Sequence, residues 1–258
     1  MATRDRSRHT GRVIAVANQK GGVAKTTTAH SLGAAAAEVG KRVLLVDLDP
    51  QACLTWSTGI DPDALEGSLH DVLLGRMPAA AVVLKVGDLS VLPSNIDLAG
   101  TEVHLMARTG REYVLRRALE PLLVDYDLLL VDCPPSLGIL TINGLTAAGE
   151  VLVPLQCEML SHRGVGQLLE TIDDVRSYTN PHLAVRGVIA TMYDGRTNLA
   201  REVLASVTEQ YGLEVLEPPV PKSVKVAEAP GRGRSVLVHA PRSKAAEAYR
   251  ELARVVLG

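Results

Sequence analysis

The segment at residues 18–28 constrains the fold more than any other part of this chain. Its sequence, NQKGGVAKTTT, lies between an apolar run at 13–17 and a run of small residues at 29–39, an order that predicts a strand, a glycine-rich loop and a helix. Such a loop points backbone N–H groups into a concavity at a helix N-terminus, where anions are stabilised. The segment therefore predicts a phosphate-binding loop in which Lys25 reaches the β- and γ-phosphates of a nucleotide and the Thr26 hydroxyl holds Mg²⁺. The alternative is a glycine-rich turn that binds no nucleotide.

The apolar runs of the chain predict an α/β fold. A chain of 258 residues with 47% hydrophobic composition can bury a large core, which Val, Leu, Ile and Ala must build because Phe is absent. The Val and Leu runs at 43–46 and 128–131 are typical of strands buried on both faces of a parallel sheet. Strand patterns that alternate with helix patterns predict a single doubly wound, mostly parallel sheet with helices on both faces.

The same alternation gives approximate bounds for each element. We predict strands near 12–18, 42–47, 89–92, 127–132, 149–154, 185–192 and 213–217. We predict helices near 25–39, 68–75, 97–107, 111–124, 138–147, 162–177, 197–211 and 243–256. No internal repeat or linker interrupts the pattern, so we predict one P-loop domain over 12–258 after a disordered, basic N-terminal tail over 1–11.

Composition excludes several classes of protein. The three cysteines are widely spaced and the seven histidines are scattered, so we expect reduced thiols in a cytoplasmic protein and no structural metal. No apolar run reaches the length of about 18 residues that is needed to span a membrane. The arginine-rich N-terminus lacks the apolar stretch of a secretory signal. The net charge of −2 conceals a stretch at 222–254 that is rich in Lys and Arg, which allows a local basic surface.

Acidic residues follow two more of the predicted strands. The strand near 42–47 runs into DLDPQ, which places the carboxylates of Asp47 and Asp49 at its carboxyl end. The strand near 127–132 ends at Asp132 before a Pro-Pro pair, a Walker B pattern in which the carboxylate binds Mg²⁺ through a water. Ligands of doubly wound sheets bind at the carboxyl ends of strands, so these carboxylates are expected beside the phosphate loop. A solvated pair of strand-end carboxylates is the alternative for Asp47 and Asp49.

The phosphate loop fits a deviant Walker A pattern better than the plain one. The pattern K-G-G-x-G-K-T-T differs from residues 20–27 only at Ala24, whereas the plain pattern mismatches at two positions. On these residues and on DLDPQ, the chain resembles the ParA/MinD family of P-loop ATPases from about Arg12 to about Val256. The resemblance implies that ATP or ADP, with Mg²⁺, is bound by the loop residues Lys20, Gly21, Gly22, Val23, Ala24, Lys25, Thr26 and Thr27.

The resemblance also implies catalytic roles. Asp49 would orient or activate the attacking water, since phosphoryl transfer depends on positioning of the nucleophile. Asp47 would support the magnesium shell formed with Thr26 and Asp132. Lys20 matches the signature lysine of the family, which reaches across the interface of an ATP-bound homodimer and neutralises the phosphates of the partner. A solvated loop lysine is the alternative for Lys20.

Two later segments, at 191–199 and 220–230, resemble the Soj branch of ParA proteins. The corresponding segments line the adenine pocket in relatives, which points to Met192 and Pro221, with ordinary packing as the alternative. The positions that resemble DNA-contacting residues of relatives are Arg196, Lys222 and Lys225. Weaker candidates for the same surface are Arg234, Arg242 and Arg250.

Taken together, the resemblance implies a Soj-like ParA ATPase that dimerises with ATP and binds double-stranded DNA without sequence preference. It would drive chromosome or plasmid segregation in the cytoplasm, on the nucleoid, with a ParB-type protein that stimulates hydrolysis. Three alternatives stay open. They are a MinD-like membrane-cycling ATPase, which needs a C-terminal amphipathic basic helix, an iron–sulfur reductase component of the nitrogenase type, and a nucleotide-binding scaffold with little hydrolysis.

Ala24 stands where the family pattern has glycine. If the backbone φ angle at Ala24 is negative, the change is mild, and if it is positive, the loop is strained by about 1 kcal/mol or more. We expect nucleotide still to bind and basal turnover to be slow.

Overall fold

The computed structural model describes residues 11–158 and 161–258, which form an eight-stranded sheet. Its strands are β1 (Arg12–Val16), β2 (Val43–Asp47), β3 (Leu84–Val86), β4 (Leu89–Leu92), β5 (Leu128–Asp132), β6 (Glu150–Gln156), β7 (Ala184–Thr191) and β8 (Val215–Leu216). They lie in the order β3-β4-β2-β5-β1-β6-β7-β8, and every pairing is parallel except that of β3 with β4. The predicted mostly parallel sheet is confirmed.

Most of the helices lie where the sequence predicts them. They are α1 (Lys25–Glu38), α2 (Cys53–Ser57), α3 (Leu69–Leu74), α4 (Ala79–Val82), α5 (Leu98–Met106), α6 (Val114–Leu119), α7 (Ile139–Ala147), α8 (Ser161–Tyr178), α9 (Asn198–Tyr211), α10 (Val224–Glu228), α11 (Val236–His239) and α12 (Lys244–Leu257). Short 3₁₀ turns cover Pro62–Ala64, Arg111–Tyr113, Glu120–Leu122 and Pro230–Arg232.

Two predictions about these elements need correction. The helix predicted near 111–124 is too long, because only α6 is α-helical and a proline lies in the 3₁₀ turn that follows it. The strand β3 was not predicted. It has three residues at the sheet edge and joins β4 through a turn at Gly87, whose φ angle is 56°. Its sequence alternates apolar and polar residues, but three residues are too few for the alternation to be recognised as a strand pattern.

The sheet is buried on both faces. Along β2, Leu44 and Val46 pack into one hydrophobic cluster, and Val43 and Leu45 pack into another on the opposite side. The first cluster takes residues from α3 and α5 to α8, and the second takes them from α1, α11 and α12. Continuous apolar runs in the central strands follow directly from this burial.

The topology brings three loops to one edge of the sheet. β1 lies at the centre between β5 and β6, and β5 separates it from β2. In the parallel register Val16 pairs with Asp132, and Asp132 pairs with Asp47. The chain therefore leaves β1, β2 and β5 side by side, at the kind of switch point where doubly wound sheets bind ligands.

The C-terminal helix α12 belongs to the core. Its apolar side chains, Tyr249 and Leu252 among them, are fully buried against the α1 side of the sheet. Within 11–158 and 161–258, the search for a helix of sufficient length and hydropathy to cross a bilayer finds none. Residues 1–10 lie outside the described part of the chain, so the tail over 1–11 stays a prediction.

Candidate functional site

The loop between β1 and α1 has the backbone of a phosphate-binding loop. α1 begins at Lys25, and no side chain caps its first turn. Gly22 has a φ angle of 77°, and no heavy atom lies within 4 Å of the place where a β-carbon would stand. The first N–H groups of a helix have no partner within it, so an uncapped helix end behind a glycine-rich loop stabilises an anion such as phosphate.

Ala24, directly before α1, adopts a left-handed conformation with φ 65° and ψ 34°. The φ angle is therefore positive, and the methyl group strains the loop by about 1 kcal/mol or more. In the described part of the chain, the other non-glycine residues with positive φ are Ala52 and Met192. Met192 lines the same cavity as Ala24, and Ala52 lies between two residues that line it. Strained backbone gathered around one cavity is typical of a functional site.

Lys25 is buried, and its Nζ donates a hydrogen bond to the carbonyl oxygen of Lys20 at 3.0 Å. Burial lowers the pKa of the Lys25 ammonium, and the nearby carboxylates of Asp132 and Asp49 act against that shift. The described residues place no carboxylate within hydrogen-bonding distance of this ammonium group. A cation that has lost most of its water and has no such partner gains strongly from a bound phosphate.

Thr26 and Asp132 meet across the loop. The Thr26 hydroxyl donates to one carboxylate oxygen of Asp132 at 2.6 Å, and the other oxygen, Oδ1, is buried without a hydrogen-bond partner among the described residues. Burial and the neighbouring Asp47 raise the pKa of the Asp132 carboxyl well above its usual value. A threonine hydroxyl beside an unpaired carboxylate oxygen is a donor set that suits Mg²⁺, so these residues fit the ion.

Asp47 and Asp49 differ in their surroundings. Asp47 is fully buried, and its two oxygens accept hydrogen bonds from Asp49 N at 3.2 Å and from the backbone and side chain of Thr55, both at 2.7 Å. Burial raises the pKa of Asp47 to about 6, against the effect of those bonds. Asp49 is half-buried and lines the cavity, and its carboxylate accepts from Gln51 N at 2.9 Å. Asp49 therefore lies in the site, whereas both carboxylate oxygens of Asp47 are engaged by hydrogen bonds from Asp49 N and Thr55.

A cavity of about 910 Å³ extends from the phosphate loop along α1. Met192 and Pro221 both line it, and Tyr193 forms an isolated bridge with Pro221, so the two predicted base-side segments are brought together. Of the predicted loop residues, the cavity is lined by Gly21, Gly22, Ala24, Lys25, Thr26 and Thr27. The volume is within the range that small-molecule sites occupy.

Two of the predicted loop residues, Lys20 and Val23, do not line the cavity. Lys20 Nζ forms an ion pair with Glu158 at 2.8 Å on the surface of its own chain. Val23 is fully buried, and its carbonyl oxygen accepts from the Thr191 hydroxyl at 3.0 Å, which ties the loop to the end of β7. Val23 therefore supports the loop through its backbone.

The predicted DNA-contacting residues Arg196, Lys222 and Lys225, called the basic rim below, lie near the base side of the cavity. Arg196 is exposed and forms an ion pair with Asp194 at 2.7 Å. Lys222 lines the cavity, and Lys225 pairs with Glu228 at 2.9 Å. Of the weaker candidates, Arg234 also lines the cavity, Arg242 is exposed, and Arg250 is held by both carboxylate oxygens of Glu38.

The structure adds residues that the sequence did not assign. Thr191 anchors the phosphate loop, and its place at the end of a predicted strand was a usable signal. His30 and Trp56 line the cavity, His30 with its Nδ1 3.1 Å from the Ser57 hydroxyl. Their placement depends on how α1 packs against α2, and no sequence motif encodes it.

These features define a class of protein: a nucleotide-binding α/β protein of the P-loop type, with its phosphate loop, threonine and strand-end carboxylates at one sheet edge. A family described as an AAA domain matches residues 11–185. Soj of Bacillus subtilis (strain 168), a sporulation initiation inhibitor protein, is 43% identical over 248 residues, which cover 95% of this chain and 98% of Soj. The chromosome partitioning protein ParA of Caulobacter vibrioides is 45% identical over 250 residues, covering 95% of this chain and 94% of that protein.

A solved structure is also similar. The crystal structure of a Mycobacterium smegmatis protein, named cobyrinic acid a,c-diamide synthase and bound to an ATP analogue and magnesium, has a TM-score of 0.86 and 54% identity. The match covers 96% of this chain and 94% of that one. The chain thus belongs to the ParA/Soj family of P-loop ATPases.

Proposed function

We propose that this chain is a Soj-like ParA ATPase whose ATP- and Mg²⁺-dependent dimer binds DNA without sequence preference and drives chromosome or plasmid segregation. In this proposal a ParB-type partner stimulates hydrolysis, basal turnover is slow, and the protein acts in the cytoplasm on the nucleoid. The observation that carries the proposal is the Thr26–Asp132 contact of 2.6 Å with an unpaired carboxylate oxygen, beside the buried Lys25.

The phosphate side of the site explains ATP and magnesium binding. Lys25 and the N–H groups of the loop would hold the phosphates, and Thr26 and Asp132 would hold the Mg²⁺. When bound, the ion neutralises charge on the phosphate oxygens. Asp49 lies at the carboxyl end of β2 beside the loop, where its carboxylate is suited to orient a water for in-line attack.

The dimer rests on Lys20. Its ion pair with Glu158 is at the surface, with 36% of the Lys20 side chain and 53% of the Glu158 side chain exposed. Exposed ion pairs are worth about 0–1 kcal/mol, so this pair contributes little to holding the ammonium against a triphosphate on a partner subunit. ATP would then join two subunits, and hydrolysis would release them.

DNA binding rests on the basic rim. Its cations are exposed or at the cavity edge, and dimerisation would place two copies of the rim on one particle. Affinity would then depend on nucleotide and would fall steeply with ionic strength, because phosphate contacts release counterions.

The experiment is DNA retention in a gel with ATP, ADP or no nucleotide, together with ATP hydrolysis with and without DNA. We expect retention with ATP only, equal for unrelated sequences. Arg196→Glu should weaken retention of every sequence alike, and Arg116→Glu, the same charge change at an exposed site on α6, should not. Equal retention under all three nucleotide conditions would contradict the proposal.

Three other functions are less well supported. A MinD-like membrane cycle needs an amphipathic helix free to bind lipid, whereas the apolar face of α12 is buried in the core. The name of the Mycobacterium smegmatis neighbour raises the alternative of an amide synthase, for which a reactive thiolate is one possible nucleophile. Burial raises the thiol pKa of all three cysteines, to about 11 for Cys157, which disfavours a thiolate at each of them. A scaffold without hydrolysis is distinguished by the ATPase assay.

A further inference from the structure

The backbone of Asp49 is held on both sides by side chains from other positions. Its N–H donates to Asp47 Oδ1 at 3.2 Å, and its carbonyl oxygen accepts from the Ser94 hydroxyl at 2.9 Å. The same hydroxyl lies 3.4 Å from the Asn95 carbonyl oxygen, a longer contact. Ser94 follows β4, so the loop after β4 contacts the loop after β2 at the residue predicted to orient the water.

Thr55 connects Asp47 to Ser94 through hydrogen bonds. Its N–H and its hydroxyl both donate to Asp47 Oδ2 at 2.7 Å. Because the hydroxyl hydrogen points to the carboxylate, the Thr55 oxygen is free to accept, and it accepts from Ser94 N at 2.9 Å. Asp47, Thr55 and Ser94 have no exposed surface. These three residues are called the Asp49 brace.

A buried and fully satisfied hydrogen-bond network is stiff, because breaking any member leaves a polar group unpaired at low dielectric. A carboxylate that must align a water needs such stiffness, since a displacement of about 1 Å can cost about a hundredfold in rate. The brace has this property, and it uses every oxygen of Asp47.

We propose that Ser94 and Thr55, with Asp47, are positioning residues for Asp49, and that Asp47 acts through this brace and not as a magnesium ligand. The inference rests on the proposed function, because Asp49 must act in ATP hydrolysis. It adds two hydroxyl groups for which the described residues show no hydrogen bond to the phosphate loop, to Thr26 or to Asp132.

The test compares Ser94→Ala with Ser90→Ala. Ser90 is equally buried on β4, but its hydroxyl has no hydrogen-bond partner among the described residues, so it is a matched control. We expect Ser94→Ala to lower kcat about tenfold to a hundredfold while ATP affinity stays within about twofold, and Ser90→Ala to leave both unchanged. Equal kcat in the two variants would overturn the inference.

Thr55 gives a second comparison that does not depend on Ser94. Thr55→Ser keeps the hydroxyl and should retain most of the activity, whereas Thr55→Val keeps the shape and should lose activity as Ser94→Ala does. Loss of ATP affinity and thermal stability in parallel with kcat would show a merely structural role and would overturn the inference.

Trp56 is next to Thr55 and is the one tryptophan of the chain, so its fluorescence can test the Asp49 brace separately from the proposed ATP hydrolysis. Its fluorescence change on addition of ATP and Mg²⁺ should differ between wild type and Ser94→Ala, and should be unchanged in Ser90→Ala. Absence of hydrolysis in the wild type would refute the proposed function. Identical fluorescence responses in Ser94→Ala and Ser90→Ala would refute the brace.

Discussion

At the phosphate end of the cavity, Lys25, Asp47 and Asp132 are almost fully buried, whereas Arg196 and Lys225 on the basic rim are exposed and pair with carboxylates two or three residues away. The buried groups have pKa values shifted mainly by loss of water. The rim residues keep their charges in solvent. Burial makes the phosphate end sensitive to single atoms and to pH, and exposure makes the rim sensitive to salt and to total charge.

The largest effect is expected from Lys25→Ala. Removing a buried ammonium that would contact phosphate should cost about 3 to 5 kcal/mol of binding, which is a hundredfold or more in ATP affinity. Lys41→Ala removes an exposed lysine that follows the opposite end of α1 and is the control. Calorimetric titration with ATP and Mg²⁺ measures both variants, and equal affinities would break the contrast between the buried and the exposed region.

The next effect is a pH dependence at His30, on the cavity wall. Burial lowers the pKa of His30 from its ordinary 6.5 to about 4. Below about pH 6.5 the His30 imidazole of the unfolded chain binds a proton. In the folded chain the same imidazole binds a proton only when the pH falls to about 4. The stability contributed by the neutral His30 is therefore complete above pH 6.5 and is lost as the pH falls to about 4.

Denaturant unfolding at pH 7 and pH 4 measures this loss. Replacing His30 by glutamine should make the loss of unfolding free energy smaller than in the wild type by about 3 kcal/mol. The same substitution at the exposed His182 is the matched control. A His30→Gln profile that parallels the wild type would show that His30 titrates normally.

A smaller effect is expected at Ala24. Ala24→Gly removes the strain of a positive φ angle and should raise the free energy of unfolding by about 1 kcal/mol. Ala34→Gly, inside α1, should lower it by about 1 kcal/mol. If the strained loop also limits turnover, Ala24→Gly raises the basal rate of ATP hydrolysis. Changes of the same sign in the two variants would refute the strain at Ala24.

The smallest effect is expected at the rim, from Asp194→Ala. Removing this carboxylate frees Arg196 from an exposed ion pair and should strengthen DNA binding by no more than about fivefold. Arg196→Glu should reduce the slope of log affinity against log salt by about 1. DNA titrations at several salt concentrations measure both changes. A large gain in DNA affinity in Asp194→Ala that persists at high salt would show that the basic rim behaves like the buried phosphate end of the cavity.

The difference between the two regions also explains what the sequence could predict. The phosphate loop, Asp49 and Asp132 lie at the ends of strands with strong apolar patterns, and Thr26 lies in the first turn of the helix after the loop. Motif and topology together were therefore enough to predict that these residues meet at one edge of the sheet. The Asp49 brace escaped prediction because Ser94 reaches Asp49 from 45 residues away, through the packing of β4 against β2. The φ angle of Ala24 and the Lys20–Glu158 pair likewise depend on three-dimensional placement that no local pattern encodes.

Light scattering coupled to size-exclusion chromatography measures directly whether ATP joins two subunits through Lys20. With saturating ATP and Mg²⁺ the mass of the wild type should double, with ADP it should stay that of one chain, and Lys20→Ala should stay single under both conditions while Lys41→Ala behaves as wild type. A wild type that stays single with ATP, or a Lys20→Ala variant that dimerises as well as the wild type, would contradict the account.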